Sequence, residues 1–327
     1  MATLRTLFTG MTARFIGQRV LFGVALLIAA SFLVFLLTKL APGGAEYAIL
    51  GGKPTSAEAL EAVRERYHLN DPWLVQYWRW LSGVLTGDFG RSFITGERVV
   101  DTIGMRIAPT LQLTGSAALV SVILGVPLGV LAGLTRNTVW DRVITAGTIA
   151  LVAVPSFVLA IFLVYVFSVQ LGWFPSFGIG ETGADRAYHL FLPVTALGVS
   201  GMGIIVRLTR AAVIEELQND SVMFARSRGL SGRRILLNYA VRNALVPVVT
   251  AVGLILVGLV AGAVFIETVF SVPGMGTALV NAVKMRDMPL IQGVVLLISA
   301  WVVITHILVD IAYVFIDPRI GFGRAGH

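Results

Sequence analysis

The 327-residue chain contains no cysteine and only four scattered histidines. Disulfides, thiol nucleophiles and thiolate metal centres are therefore excluded, and no histidine cluster stands ready to hold an ion. Charge is scarce as well. Asp, Glu, Lys and Arg supply 13% of the residues, against about a quarter in ordinary soluble domains. There is no Gly-rich phosphate loop ending in Lys-Ser or Lys-Thr, no His-Glu-x-x-His pair and no Gly-x-Ser-x-Gly elbow. The chain is expected to be non-catalytic, with no metal or cofactor of its own. Apolar residues are what it has in abundance, at 56% of the total, with a mean hydropathy of +0.85.

Those apolar residues gather in long runs near 18–40, 107–134, 144–169, 190–206, 244–265 and 290–315. Crossing about 30 Å of hydrocarbon takes roughly 20 helical residues, so each run reads as a membrane-spanning helix, the fourth near the lower limit. Runs of this length exclude a transmembrane β-barrel, whose strands alternate over about ten residues. Gly125, Pro127, Gly129 and Gly133 lie inside the second run, where small residues let helix backbones approach. The first run is too long for a secretory signal core and lacks a good cleavage site, so a retained helix is expected. The expected fold is thus an all-α polytopic membrane protein of six transmembrane helices.

The net charge of +7 would suggest nucleic acid in a soluble chain, but here the arginines flank the spans and report sidedness. The N-terminal tail carries Arg5, Arg14 and Arg19 and no acid. Residues 206–243 carry seven arginines against Glu215, Glu216 and Asp220. Segments 170–189 and 266–289 have no basic excess. Both termini and the 206–243 segment are therefore expected in the cytoplasm. The organisation that follows is a cytoplasmic tail over 1–17, a first span over 18–40 and an extracytoplasmic helical segment over 41–106. A core of five spans over 107–315 encloses a cytoplasmic loop at 207–242, and a cytoplasmic tail occupies 316–327.

Within the outer segment, Thr55 or Ser56 with Glu58 predicts a helix start, and Asn70-Asp71-Pro72 predicts a break. Trp73, Tyr77, Trp78 and Trp80 follow on or near one helical stripe, as expected of a cap resting at headgroup level or a docking surface. Asp310 is the one acid well inside a span. Its place near the cytoplasmic end predicts a structural polar role more than proton coupling.

The 207–242 segment reads as short helices. Leu217, Asp220, Val222, Ala225 and Arg226 precede Arg228-Gly229-Leu230, with Gly229 as a stop and Ser231 as the next cap. A short helix exposed on the cytoplasmic face suits a groove on another protein. Contact with anionic lipid is the competing reading, and the three acids weigh against it. From the residues alone, an ATP-independent transporter or channel and a membrane assembly scaffold remain open.

Read as a block, Asp220–Pro247 resembles the cytoplasmic loop of ABC-transporter permeases, in particular the dipeptide/oligopeptide/nickel branch. Other blocks are similar to the first permease subunit of those systems. They are Asn70-Asp71-Pro72 with Gln76-Tyr77, Gly87-Asp88-Phe89-Gly90-Arg91-Ser92, and Pro109-Thr110-Leu111. Further along come Glu267 through Pro273, Gly274 and Gly276, then Arg286-Asp287-Met288-Pro289, then Asp310, Tyr313 and Asp317-Pro318-Arg319. One departure is that Met223-Phe224-Ala225 stands where the general motif has Glu-Ala-Ala.

The resemblance implies an ABC importer permease fold in a prokaryotic inner or plasma membrane. It also implies a second homologous permease, two cytoplasmic ATPases that hold the ATP and magnesium, and an extracytoplasmic substrate-binding protein. Leu217, Asp220, Val222, Ala225, Arg226, Arg228, Gly229 and Leu230 would then couple to an ATPase. Glu267, Pro273, Gly274, Gly276, Arg286, Asp287 and Pro289 would shape the outer gate or seat the binding protein, and Asp310, Asp317 and Arg319 would be structural. The substrate would be a dipeptide, a longer peptide, a nickel chelate, glutathione or a related solute.

Overall fold

A computed structural model describes residues 2–40, 56–66, 68–235 and 242–316. Those residues are almost wholly helical, with no strand among them beyond one isolated bridge between Arg91 and Arg98. Among the described residues five helices are long and apolar enough to span a bilayer, and a bent pair makes a sixth candidate. Asp317 and Arg319 lie outside the described residues.

The helices, in chain order, are α1 (Ala2–Leu40), α2 (Ala57–Arg66), α3 (Trp73–Leu85), α4 (Val99–Leu134), α5 (Val139–Ala153) and α6 (Ser156–Leu163). They continue with α7 (Gly183–Leu217), α8 (Asp220–Ser227), α9 (Gly232–Ile235), α10 (Arg242–Val269), α11 (Met275–Met285) and α12 (Met288–Ile316). Two compact units form. One comprises Met1–Gln18, Leu111–Val272 and Thr305–His327; the other comprises Arg19–Thr110 and Pro273–Ile304.

Several helices differ from the expected spans. The run at 190–206 is the middle of α7, a 35-residue helix about 50 Å long. Its polar flanks extend the helix instead of ending it, so the first residues of the expected 207–242 loop are helical and belong to α7. The first span has no break at residue 17, since α1 begins at Ala2, and α4 starts at Val99 rather than 107. The run at 144–169 is not one straight helix. α5 and α6, with its π-helical extension Val164–Gln170, meet at 97°. Pro155 explains the break: it supplies no N–H and holds Val154 extended, at φ −88° and ψ 122°.

In the first unit, Leu192, Leu197, Ile205, Ile255, Ile266 and Phe270 are buried in one apolar core. Every fourth residue of α4 from Ala117 to Gly133 is small, and Ile205, Thr209 and Val213 of α7, also four apart, fill the space over Gly125, Gly129 and Gly133. A Cβ placed on Gly125 would lie 2.9 Å from Ile205 Cβ, and one on Gly129 would lie 2.6 Å from Thr209 Cβ and 2.8 Å from the Val206 carbonyl oxygen. One on Gly133 would lie 2.8 Å from Val213 Cγ1. Ser121 extends the row by donating to the Gly198 carbonyl at 2.6 Å. Ridges of i, i+4 spacing thus interdigitate at backbone distance.

In the second unit, α2 is capped as expected, Ser56 Oγ accepting from Ala59 N–H at 3.3 Å. The α3 aromatics divide between two faces rather than sharing one. Tyr77 and Trp80 pack on Phe35 of α1, and the Tyr77 hydroxyl shares a 2.8 Å hydrogen bond with Ser31. Trp73 and Trp78 point away and are exposed.

Candidate functional site

α8 is defined by its own ends. The Asn219 side chain accepts from Ser221 N–H at 3.4 Å, and Asp220 and Arg226 place an acid in the first turn and a base in the last, as the helix dipole favours. At the other end Leu230 N–H reaches the Ala225 carbonyl at 3.2 Å and Gly229 N–H reaches that of Arg226 at 2.9 Å. With Gly229 at φ +74°, these two bonds form a Schellman cap. The hydrophobic contact that accompanies such a cap is present, because Leu230 packs against Val222, Ala225 and Ile235.

This arrangement sorts the residues that the sequence singled out. Val222 and Ala225 are buried and seat the helix on its own small core. Leu217 is the last residue of α7 and packs against Ala212 and Val213. Arg226 and Arg228 are exposed. Met223 and Phe224, which read in the sequence only as a departure from a motif, are the most prominent apolar side chains here, at 67% and 64% exposure. The Arg228 guanidinium lies over the Phe224 ring, 5.9 Å from its centroid. The signal that could have found the pair was the helical spacing itself: Val222 and Ala225 share one face, and Met223 and Phe224 fall off it.

α8 follows α7 after only Gln218 and Asn219. Two turns before that joint, Arg210 grips Asp141 of α5 with both arms, Nε to Oδ1 at 2.6 Å and Nη2 to Oδ2 at 2.8 Å. Asp141, 4% exposed, also accepts from Asn137 N–H at 3.0 Å and Thr145 Oγ1 at 3.3 Å. In the sequence Arg210 is only one of the seven arginines between 206 and 243, and Asp141 carries no signal of its own. Their pairing across 69 positions left no local signal.

The residues expected at the outer face are also divided. Asp287 is buried and accepts from Ser92 Oγ and, at 3.1 Å, from Phe93 N–H. Arg286 ends α11 in the left-handed conformation, at φ 59°. Met275 N–H, between Gly274 and Gly276, donates to Thr110 Oγ1 at 2.8 Å. Pro273 precedes this turn, and Pro289 lies in the first turn of α12. Glu267 is fully buried near the end of α10. Asp310 is half-buried on α12. Among the described residues no cluster of three or more His, Asp or Glu could hold a metal.

Residues 125–322 match the family described as binding-protein-dependent transport system inner membrane component. Residues 12–114 match the N-terminal part of such membrane components. A probable peptide ABC transporter permease protein, y4tP of Sinorhizobium fredii, is 38% identical over 94% of this chain and 99% of its own length. The glutathione transport system permease protein GsiC of Escherichia coli strain K12 is 35% identical over 94% and 99%. A permease chain solved in inward-facing crystals of the MetNI methionine ABC transporter shares the fold, with a TM-score of 0.56 at 19% identity over 66% of this chain and 96% of that one. The chain belongs to the binding-protein-dependent transport system inner membrane components, as a multi-pass permease subunit of an ABC importer in a prokaryotic cell membrane.

Proposed function

We propose that this chain forms half of the pathway of an ATP-driven peptide or glutathione importer and that α8 is its coupling helix. The substrate class follows the described relatives, a probable peptide permease and a glutathione permease. The partners are a second homologous permease, two cytoplasmic ATPases carrying ATP and magnesium, and an extracytoplasmic binding protein. The chain itself is non-catalytic. Both termini and α8 face the cytoplasm, as the arginine bias indicates.

The observation that carries this reading is the exposure of Met223 and Phe224 on a doubly capped helix at the end of α7. An apolar pair flanked by Arg226 and Arg228 suits a groove with an acidic rim. ATP binding closes the ATPases and favours one position of α8 over another, which biases the spans between inward-facing and outward-facing arrangements. The tie between Arg210 and Asp141 makes α5 and α7 follow α8 together. Pro273, Gly274 and Gly276 and the Ser92–Asp287 contact shape the outer unit, against which the binding protein docks.

The test is to replace Met223 and Phe224 together by aspartate in the assembled transporter. ATPase co-purification and substrate uptake fall at least about tenfold, while the permease stays in the membrane at normal levels. Unchanged ATPase retention and uptake would remove α8 as the coupling element.

A further inference from the structure

Residues of the outer unit line a half-open cavity of about 570 Å³. Lys39, Arg79 and Arg91 line it, with Asp88 as the opposing carboxylate. Asp88 Oδ1 already accepts from Gly90 N–H at 2.9 Å. Lys39 follows closely on the apolar stretch Ile16–Leu37, which sets the cavity at headgroup depth. Arg79 donates from Nη1 to Asp71 at 2.8 Å, engaging one N–H of a fork that carries several.

Arg79 also lines a second cleft of about 480 Å³, whose other walls are Leu74, Val75, Trp78 and Ser82. Leu74 and Trp78 are 70% and 67% exposed. α3 is itself tied to the span, since Tyr77 reaches Ser31 within Ile16–Leu37. A helix held there presents Leu74 and Trp78 to acyl chains rather than to bulk water. A cationic chamber and an apolar cleft thus meet at one arginine.

We propose that this paired site binds an anionic phospholipid, its phosphate against Lys39, Arg79 and Arg91 and an acyl chain along Leu74 and Trp78. Inorganic phosphate would fill only the chamber. An acidic side chain of a binding protein would leave the apolar cleft uncovered. The assignment of the lipid to the outer leaflet rests on the topology proposed above; the site does not.

The test uses the whole transporter in detergent, stripped of loosely held lipid. It is offered phosphatidylglycerol, phosphatidylcholine or inorganic phosphate, and bound ligand is counted by native mass spectrometry. Phosphatidylglycerol binds in preference to phosphatidylcholine, and Arg79→Gln with Arg91→Gln weakens it about tenfold. Arg79→Lys keeps the charge but loses the fork, so binding falls by less than in Arg79→Gln. Leu74→Gln with Trp78→Gln, both on the exposed face, weakens phosphatidylglycerol but leaves inorganic phosphate unchanged.

Equal retention of phosphatidylglycerol by the wild type and the double glutamine variant overturns the proposal. So does phosphatidylcholine bound as tightly as phosphatidylglycerol, or inorganic phosphate bound as tightly as the lipid. Loss of binding-protein capture with lipid retention untouched overturns it in favour of a protein partner. Retention in detergent is indifferent to sidedness, whereas labelling of Thr95→Cys, outside both clefts, in whole cells by an impermeant maleimide reports it, so site and topology fail separately.

Discussion

Asp141 shows how much one carboxylate can organise when its contacts come from two helices and the turn that leads into one of them. Its two oxygens receive the Arg210 fork, the Asn137 N–H and the Thr145 hydroxyl. Removing the acid leaves a guanidinium without its partner at a mostly dry contact. Asp141→Ala is expected to cost about 2–3 kcal/mol, at the low end for a paired charge because the Arg210 side chain keeps 30% exposure. Replacing both partners, Asp141→Leu with Arg210→Met, removes the stranded charge and recovers most of that loss. Thermal unfolding of the purified transporter distinguishes these outcomes. Equal damage from the single and double changes would assign the stability to shape alone.

At the scale of elements, the packing of α4 on α7 depends on hydrogen atoms at Gly125, Gly129 and Gly133 where other residues carry carbon. Gly129→Leu would drive its side chain against the Val206 carbonyl, which belongs to a helical backbone and cannot turn aside. The expected loss is about 1–3 kcal/mol. Gly147→Ala, with nothing within 4 Å of the added carbon, serves as the neutral control, and denaturant unfolding compares the two. Much of the helical framework was legible in the sequence because uninterrupted apolar runs leave few alternatives. The ends were less so. Hydropathy falls off at Arg207 and Arg210, yet α7 continues to Leu217 because a helix tolerates polar residues wherever they can leave the hydrocarbon. The bend at Pro155 was hidden for the opposite reason: hydropathy stays high through a place where backbone bonding fails. Gly229 announced the α8 cap by residue type. The Asp141–Arg210 and Ser92–Asp287 contacts did not announce themselves, since each joins segments far apart in the chain.

At the scale of the whole molecule, the absence of cysteine makes sidedness directly measurable. A cysteine at Ser227 is expected to react with an impermeant maleimide only after the cells are opened, and one at Thr95 in intact cells. The reverse pattern would invert the proposed topology and remove α8 from the ATPases. The contact between Ser92 and Asp287 bears on another kind of experiment. Two sequence blocks 195 positions apart close on each other through one buried carboxylate. A chimera that exchanges the segment before α4 with a relative must therefore carry the two blocks as one module. Crossover points placed between them separate the halves of a single joint, however well each half matches its new neighbours.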